Sequence, residues 1–137
     1  MIRVFIADDQ VLVRQGLRAL LDLEPEVELA GEASDGAEAI ARIPLAQADV
    51  VLLDVRMPVQ NGIDVLRALN AAGTLPPTIV LTTFDDAEAV LEAIRAGARG
   101  FLLKDIAFEQ LINAIRCVAT GATVFQPAIT HRLTERT

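Results

Sequence analysis

The 137-residue chain carries 12 Lys+Arg against 19 Asp+Glu and one His, a formal net charge of −7; the length suits one compact domain. With no segregated basic patch, the acidic balance opposes binding to a nucleic-acid backbone. Apolar residues make up 53% and aromatics 4%, with no Trp or Tyr, so the core must be aliphatic.

Ile2 to Ala7 (IRVFIA) reads as a strand. Leu12 to Leu23 then reads as a helix, with Val13, Leu17, Leu20 and Leu21 along one face, ended by Pro25. Val27 to Ala33 is a second strand. Asp35-Gly36 makes a turn, and a short helix from Ala37 to Ile43 stops before Pro44. Asp49 to Val55 (DVVLLDV) is apolar on both faces, as a central parallel strand must be when helices cover each side. A third helix runs from about Gly62 to Ala72 and ends at Gly73. Thr78 to Thr82 is strand four, Ala87 to Ala96 helix four, and Gly100 to Leu103 strand five. Helix five spans Ala107 to Ala119, with Phe108, Leu111, Ile112, Ile115 and Ala119 on one face.

Strand–helix alternation of this kind implies a parallel sheet with right-handed crossovers. The predicted fold is α/β, a flavodoxin-like doubly wound (βα)5 with strand order 2-1-3-4-5. Residues 1–122 form the domain. Residues 123–137 follow as a docked or frayed tail, or the start of a linker to something absent here. No apolar run approaches the roughly 18 residues of a membrane span, and acids follow the apolar N-terminal stretch too soon for a signal peptide. The lone Cys117 excludes an intramolecular disulfide and a cysteine zinc cluster; by default it is a small buried hydrophobe. The expectation is a cytoplasmic protein.

In open α/β sheets, ligands sit beyond the C-terminal ends of the strands. Asp8 and Asp9 follow strand one, Asp54 ends strand three, Thr82 ends strand four and Lys104 follows strand five. Three carboxylates close together raise each other's pKa, and a divalent hard cation such as Mg²⁺ relieves the repulsion through oxygen ligands. Lys104 and Thr82 offer an ammonium and a hydroxyl to phosphoryl oxygens. The set therefore suits an acyl phosphate, with Asp54 as nucleophile.

Each residue has a plainer reading when taken alone. Asp8-Asp9 could cap the first helix, Asp54 could be a turn residue, Thr82 an ordinary strand residue, and Lys104-Asp105 a surface pair of little worth. Phe101 is by default core. Four separate strand ends that each deliver what one reaction needs outweigh those readings together.

The acidic pair Asp8-Asp9, the run Asp54-Val55-Arg56-Met57-Pro58 followed by Asn61-Gly62, Thr82 at a strand end, and Gly97-Ala98-Arg99-Gly100-Phe101-Leu102-Leu103-Lys104-Asp105 resemble the receiver domain of bacterial two-component response regulators. Leu81-Thr82-Thr83-Phe84-Asp85 and Phe101-Leu102-Leu103-Lys104-Asp105 look most like the NarL/FixJ (LuxR-type) subfamily. The resemblance covers residues 1 to about 122. It implies that Asp54 is the phosphoacceptor, and that Asp9, Asp54 and the backbone carbonyl of Arg56 bind Mg²⁺, with Asp8 acting largely through a metal-bound water. Thr82 and Lys104 would hold phosphoryl oxygens, Thr82 and Phe101 would form the switch, and Arg56 and Phe84 would tune dephosphorylation. Asn61 replaces a more frequent Asp without expected effect. Asp105 stands where many members carry Pro, so the isomer of the peptide after Lys104 stays open.

The function so implied is a phosphorylation-dependent signalling receiver. It accepts a phosphoryl group from a sensor histidine kinase and switches its helix-four, strand-five, helix-five face. It is not an enzyme beyond slow self-catalysed phosphorylation and dephosphorylation. Homodimers are expected in some state, and contact with DNA only through an absent helix-turn-helix output domain. A phosphorylation-independent interaction module of the same fold is the alternative. A Mg²⁺-dependent aspartyl-phosphate phosphatase is a weaker one, because strand one lacks its Asp-x-Asp. A nucleotide- or flavin-binding module is opposed by two carboxylates where a Gly-rich loop belongs.

Overall fold

The computed structural model describes residues 1–83 and 87–125. Its elements, in chain order, are β1 (Ile2–Ala7), α1 (Val11–Leu21), β2 (Val27–Ala33), α2 (Gly36–Ala46), β3 (Val50–Leu53), α3 (Gly62–Ala71), β4 (Thr78–Thr82), α4 (Ala87–Arg95), β5 (Gly100–Leu103), α5 (Phe108–Ala119) and β6 (Val124–Phe125). The strands form one parallel sheet in the order β2-β1-β3-β4-β5-β6.

Two-residue periodicity along the strands divides the core into two layers. Phe5, Ala7, Val51, Leu53, Val80 and Phe101 share one layer with Ile43 of α2, Leu66 and Leu69 of α3, and Val90 of α4. Val4, Ile6, Val50, Leu52, Ile79, Leu81 and Leu102 share the other with Leu21 of α1 and Leu111, Ile112, Ile115 and Val118 of α5. β3 and β4 are buried at every position, because helices cover both faces of the central strands. Each fully buried aliphatic side chain contributes about 1.5–3 kcal/mol of transfer free energy, and this burial holds the polar rim in place.

Four elements depart from the sequence reading. α1 ends at Leu21, two residues early, because Leu23 and Glu24 donate to carbonyls three residues back and tighten the chain into a turn before Pro25. α2 runs through Pro44 to Ala46 instead of stopping at Ile43. Pro44 is exposed, so the single helical bond that it removes is given up at the solvent face. Gln47 in the left-handed conformation (φ 54°) then stops the helix. The Arg3 guanidinium, reaching from β1, donates to the Ala46 and Gln47 carbonyls at 3.0 and 3.2 Å. β3 is confined to Val50–Leu53, its flanks being loop. The fourth departure is β6, a sixth strand beyond the five expected. It pairs Val124 with Gly100 and Phe125 with Phe101; residues 126–137 lie outside the described ones.

Two side-chain expectations also change. Cys117 is exposed, since two residues on from buried Ile115 a helix has turned by about 200°. On α1 only Leu21 of the expected face is buried; Val13 and Leu17 are half-buried and Leu20 is 39% exposed.

Candidate functional site

The acidic pair lies where β1 gives way to α1. Neither carboxylate caps that helix: its N-cap is Gln10, which makes no side-chain cap bond. Asp8 is 3% exposed, its carboxylate accepting the Gln10 backbone N–H at 2.8 Å and its backbone carbonyl accepting from the Arg14 guanidinium at 2.5 Å. Asp9 is exposed. Asp54 follows β3, its N–H donating to the Ala7 carbonyl at 2.9 Å, which ties the acceptor loop to β1.

Glycines set the shape of that loop. A Cβ on Gly62 would lie 2.2 Å from the Asp54 carbonyl oxygen, and one on Gly36 would lie 2.0 Å from the Gln60 carbonyl oxygen. Only glycine lets α3 start against the acceptor loop and lets that loop rest on α2. Asn61 caps α3, accepting from the Asp64 N–H at 2.9 Å while the Asp64 carboxylate accepts from the Asn61 N–H at 3.3 Å. Between these anchors Val59 takes φ 70°, a left-handed conformation that costs a β-branched residue roughly 1–3 kcal/mol.

Asp8, Asp9 and Asp54 each bring a carboxylate oxygen within 4.8 Å of the others. The Lys104 ammonium reaches in from the end of β5, 2.6 Å from Asp8 Oδ2 and 3.3 Å from Asp54 Oδ2. Burial and the neighbouring Asp8 charge push the Asp54 carboxyl up to about 6, against the opposing pull of Lys104 and the Arg56 backbone N–H. The Thr82 hydroxyl is buried, with no hydrogen-bond partner among the described residues. A hydroxyl in that condition has forfeited its solvation, and it lines the same cleft. This opening of about 160 Å³ is walled by Asp9, Gln10, Asp54, Arg56, Thr82, Thr83 and Lys104.

The structure thus brings together Asp8, Asp9, Asp54, Arg56, Thr82 and Lys104. Phe101 is fully buried beside Val80, its register partner on β4. Phe84 lies outside the described residues. The peptide after Lys104 is trans, as are all described peptides. Sequence reasoning passed over Gln10, whose side-chain oxygen accepts from the Lys104 ammonium at 3.3 Å. It also passed over Arg14, which grips the Asp8 carbonyl. Position offered the only signal for Gln10: it directly follows the acids.

The donor set fits a hard divalent cation, because three clustered carboxylate oxygens, one on a carboxyl already driven upward, call for positive charge. No described helix is long and apolar enough to cross a membrane.

Residues 4–116 match the response regulator receiver domain family. The chain is 43% identical over 134 residues to the nitrate/nitrite response regulator protein NarP of Escherichia coli, covering 98% of this chain and 62% of that protein. It is 43% identical over 124 residues to the DNA-binding transcriptional activator DevR/DosR of Mycobacterium tuberculosis, covering 90% of this chain and 57% of that protein. The chain therefore spans about three-fifths of the length of such curated relatives. The crystal structure of a LuxR-family two-component response regulator from an Aurantimonas species superposes with a TM-score of 0.91 at 27% identity, covering 98% of this chain and 96% of that one. The chain belongs to the response regulator receiver domains of two-component systems, among the NarL/LuxR-type regulators.

Proposed function

We propose that Asp54 is the phosphoacceptor of this receiver and that its phosphorylation switches the α4–β5–α5 face. The observation that carries the proposal is the convergence on Asp54 of an ammonium 3.3 Å away, two further carboxylates within 4.8 Å and a buried hydroxyl with no partner among the described residues. An acyl phosphate at Asp54 would supply the acceptor oxygen that Thr82 lacks among the described residues.

With its carboxyl titrating at about 6, Asp54 is mostly ionised at neutral pH and can act as a nucleophile. Its oxygen attacks phosphorus while the bond from phosphorus to the donor breaks, and the bonding electron pair leaves with the donor. In a sensor kinase that donor is a phosphorylated imidazole. Lys104 and Thr82 take the charge that builds on the phosphoryl oxygens. Asp8, Asp9, Asp54 and the Arg56 carbonyl would hold Mg²⁺, which supplies charge neutralisation. Arg56, at the cleft mouth, tunes the approach of hydrolytic water, with Phe84 as its companion.

The product carries roughly −1.5 to −2 charge where a single carboxylate stood. Drawing Thr82 toward it moves the end of β4, whose neighbour β5 carries the buried Phe101. That buried ring is one of the switch's two packings, and phosphorylation acts by stabilising the two unequally. The signalling domain predicted over residues 1–122 takes in β6 as well, which pairs Val124 and Phe125 onto β5, and in the whole regulator it would act on a DNA-binding output domain. Asp54→Asn tests the reading: acetyl phosphate with Mg²⁺ should label the wild-type chain and leave the variant unlabelled. Stoichiometric labelling of the variant would defeat it.

A further inference from the structure

Lys104 is the only lysine in the sequence, and an ammonium has three N–H donors. Three oxygens receive it: Asp8 Oδ2 at 2.6 Å, Asp54 Oδ2 at 3.3 Å and Gln10 Oε1 at 3.3 Å. Two of the three come from one short loop, two residues apart. The Gln10 backbone N–H donates to Asp8 Oδ1 at 2.8 Å and ties the two prongs of this fork together. Asp8 is buried and Gln10 exposed, so the ammonium is gripped from the core side by one and from the solvent side by the other. Its remaining hydrogen faces Asp54.

Gln10 stands at the N-cap of α1, where a side-chain oxygen can accept from the helix's free N–H groups. It makes no such bond; its oxygen goes to Lys104, 94 residues away along the chain. The helix forgoes a cap, and the cleft gains a wall that is polar, uncharged and in contact with the ammonium.

We infer that Gln10 is a positioning residue: its side-chain oxygen holds the Lys104 ammonium over Asp54 and so sets how fast Asp54 takes up a phosphoryl group. This rests on the phosphoacceptor reading above. A lysine stem is long and flexible. Without its solvent-side prong, the ammonium keeps only its two carboxylate contacts, the shorter of them to Asp8, and spends part of its time turned toward Asp8 and away from the reacting oxygen. An amide does this work without adding a fourth negative charge where an anionic phosphodonor must approach.

Gln10→Met keeps the length of the side chain and removes the acceptor, whereas Gln10→Glu keeps an acceptor. Labelling with ¹⁵N-lysine gives a single side-chain ammonium signal, because there is one lysine. In Gln10→Met the exchange of its protons with water should quicken about fivefold, the worth of one modest hydrogen bond. In Gln10→Glu exchange should stay slow. Labelling of Asp54 by acetyl phosphate at saturating Mg²⁺ should slow about fivefold in Gln10→Met, and the loss should vanish when Lys104→Ala is already present. Unchanged ammonium exchange in Gln10→Met overturns the inference, and so does a loss of labelling that persists undiminished in the Lys104→Ala background. A wild-type chain that takes no label at Asp54 removes the phosphoacceptor reading itself, and the rate role falls with it, even where the ammonium signal responds to position 10.

Discussion

α1 and α3 are nearly the same length, 11 and 10 residues, and each begins at a loop that carries acids of the site, yet they are held by different forces. α3 buries Ile63, Val65, Leu66 and Leu69, starts on a glycine that fits against the Asp54 carbonyl, and closes its first turn with a reciprocal capping box. α1 buries only Leu21 and has no side-chain cap. What fixes its start is the site itself: the Gln10 N–H on Asp8, the Arg14 guanidinium on the Asp8 carbonyl, and Lys104 bridging Asp8 and Gln10. The acceptor aspartate is therefore built on packed apolar structure, while the acids opposite it are held by polar contacts that a change of charge can rearrange. Local stability follows burial, so the two sides should respond differently to the same kind of substitution.

Glycine replacements give the widest separation. Gly62→Ala places a methyl 2.2 Å from the Asp54 carbonyl oxygen, and backbone on both sides must shift. About 4 kcal/mol of stability should be lost, read as a lowered urea midpoint. Gly16→Ala, in the middle of α1, meets nothing within 4 Å. It should raise stability by about 0.5–1 kcal/mol, the helix-propensity difference. Equal losses in the two variants would erase the distinction.

Leucine truncation probes the same contrast through packing. Leu66 in α3 is fully buried and Leu20 in α1 is 39% exposed. Leu66→Ala should cost about 3 kcal/mol, from lost transfer free energy and the cavity left behind, and Leu20→Ala less than 1. The sequence could not separate these two residues, because both lie on apolar stripes of helical period. Burial depends on how closely each helix seats on the sheet, and no periodicity encodes that.

The two sides meet at Asp54, where pH supplies a third test. Its carboxyl takes up a proton at about 6 in the folded protein against an ordinary value of 3.8, so the folded state binds that proton more tightly than the unfolded one. Its contribution to stability is fully present below pH 3.8 and is lost as pH rises through 6. In chelator, Asp54→Asn should therefore be about 2 kcal/mol more stable than wild type at pH 8, the two converging near pH 4: each pKa unit corresponds to about 1.4 kcal/mol, a total of about 3 that solvent screening at the open cleft reduces. Adding Mg²⁺ should narrow the gap at pH 8, because a cation bound by the folded wild type stabilises it. Thermal unfolding across pH 4–8 reads both effects.

Much of this architecture is written locally. The buried strands announce themselves as β-branched runs, and residues placed after strand ends converge because parallel topology sends every such end to one rim. Asp54, Thr82 and Lys104 were legible for that reason. What escaped depends on long-range contacts: Arg3 closing the end of α2 past Pro44, β6 pairing onto β5, and Gln10 reaching Lys104. None has a local pattern, since each is decided by which side chain or strand edge the finished fold leaves within reach. Asn61 caps α3 as an Asp at that position would. Its capping role needs Asp64 three residues on, a pairing visible in the sequence once the start of α3 is fixed.

That cap and its counterpart at α1 give the smallest and most pointed comparison. Asn61→Ala removes a side-chain acceptor from the Asp64 N–H and frees the Asp64 carboxylate from its return bond, so it should cost about 1 kcal/mol in urea unfolding. Gln10→Ala removes a residue at the equivalent position of α1, but its side chain bonds no helix N–H, and the backbone bond to Asp8 survives the change. Its stability should stay within about 0.5 kcal/mol of wild type, as for surface positions generally. A cap-sized loss at position 10 would mean that Gln10 serves the helix, and the contrast between a packed and a polar flank would weaken. A neutral result at 10 beside a clear loss at 61 would mean that two N-cap positions of one fold have been given to different tasks, one to hold a helix and the other to hold an ammonium.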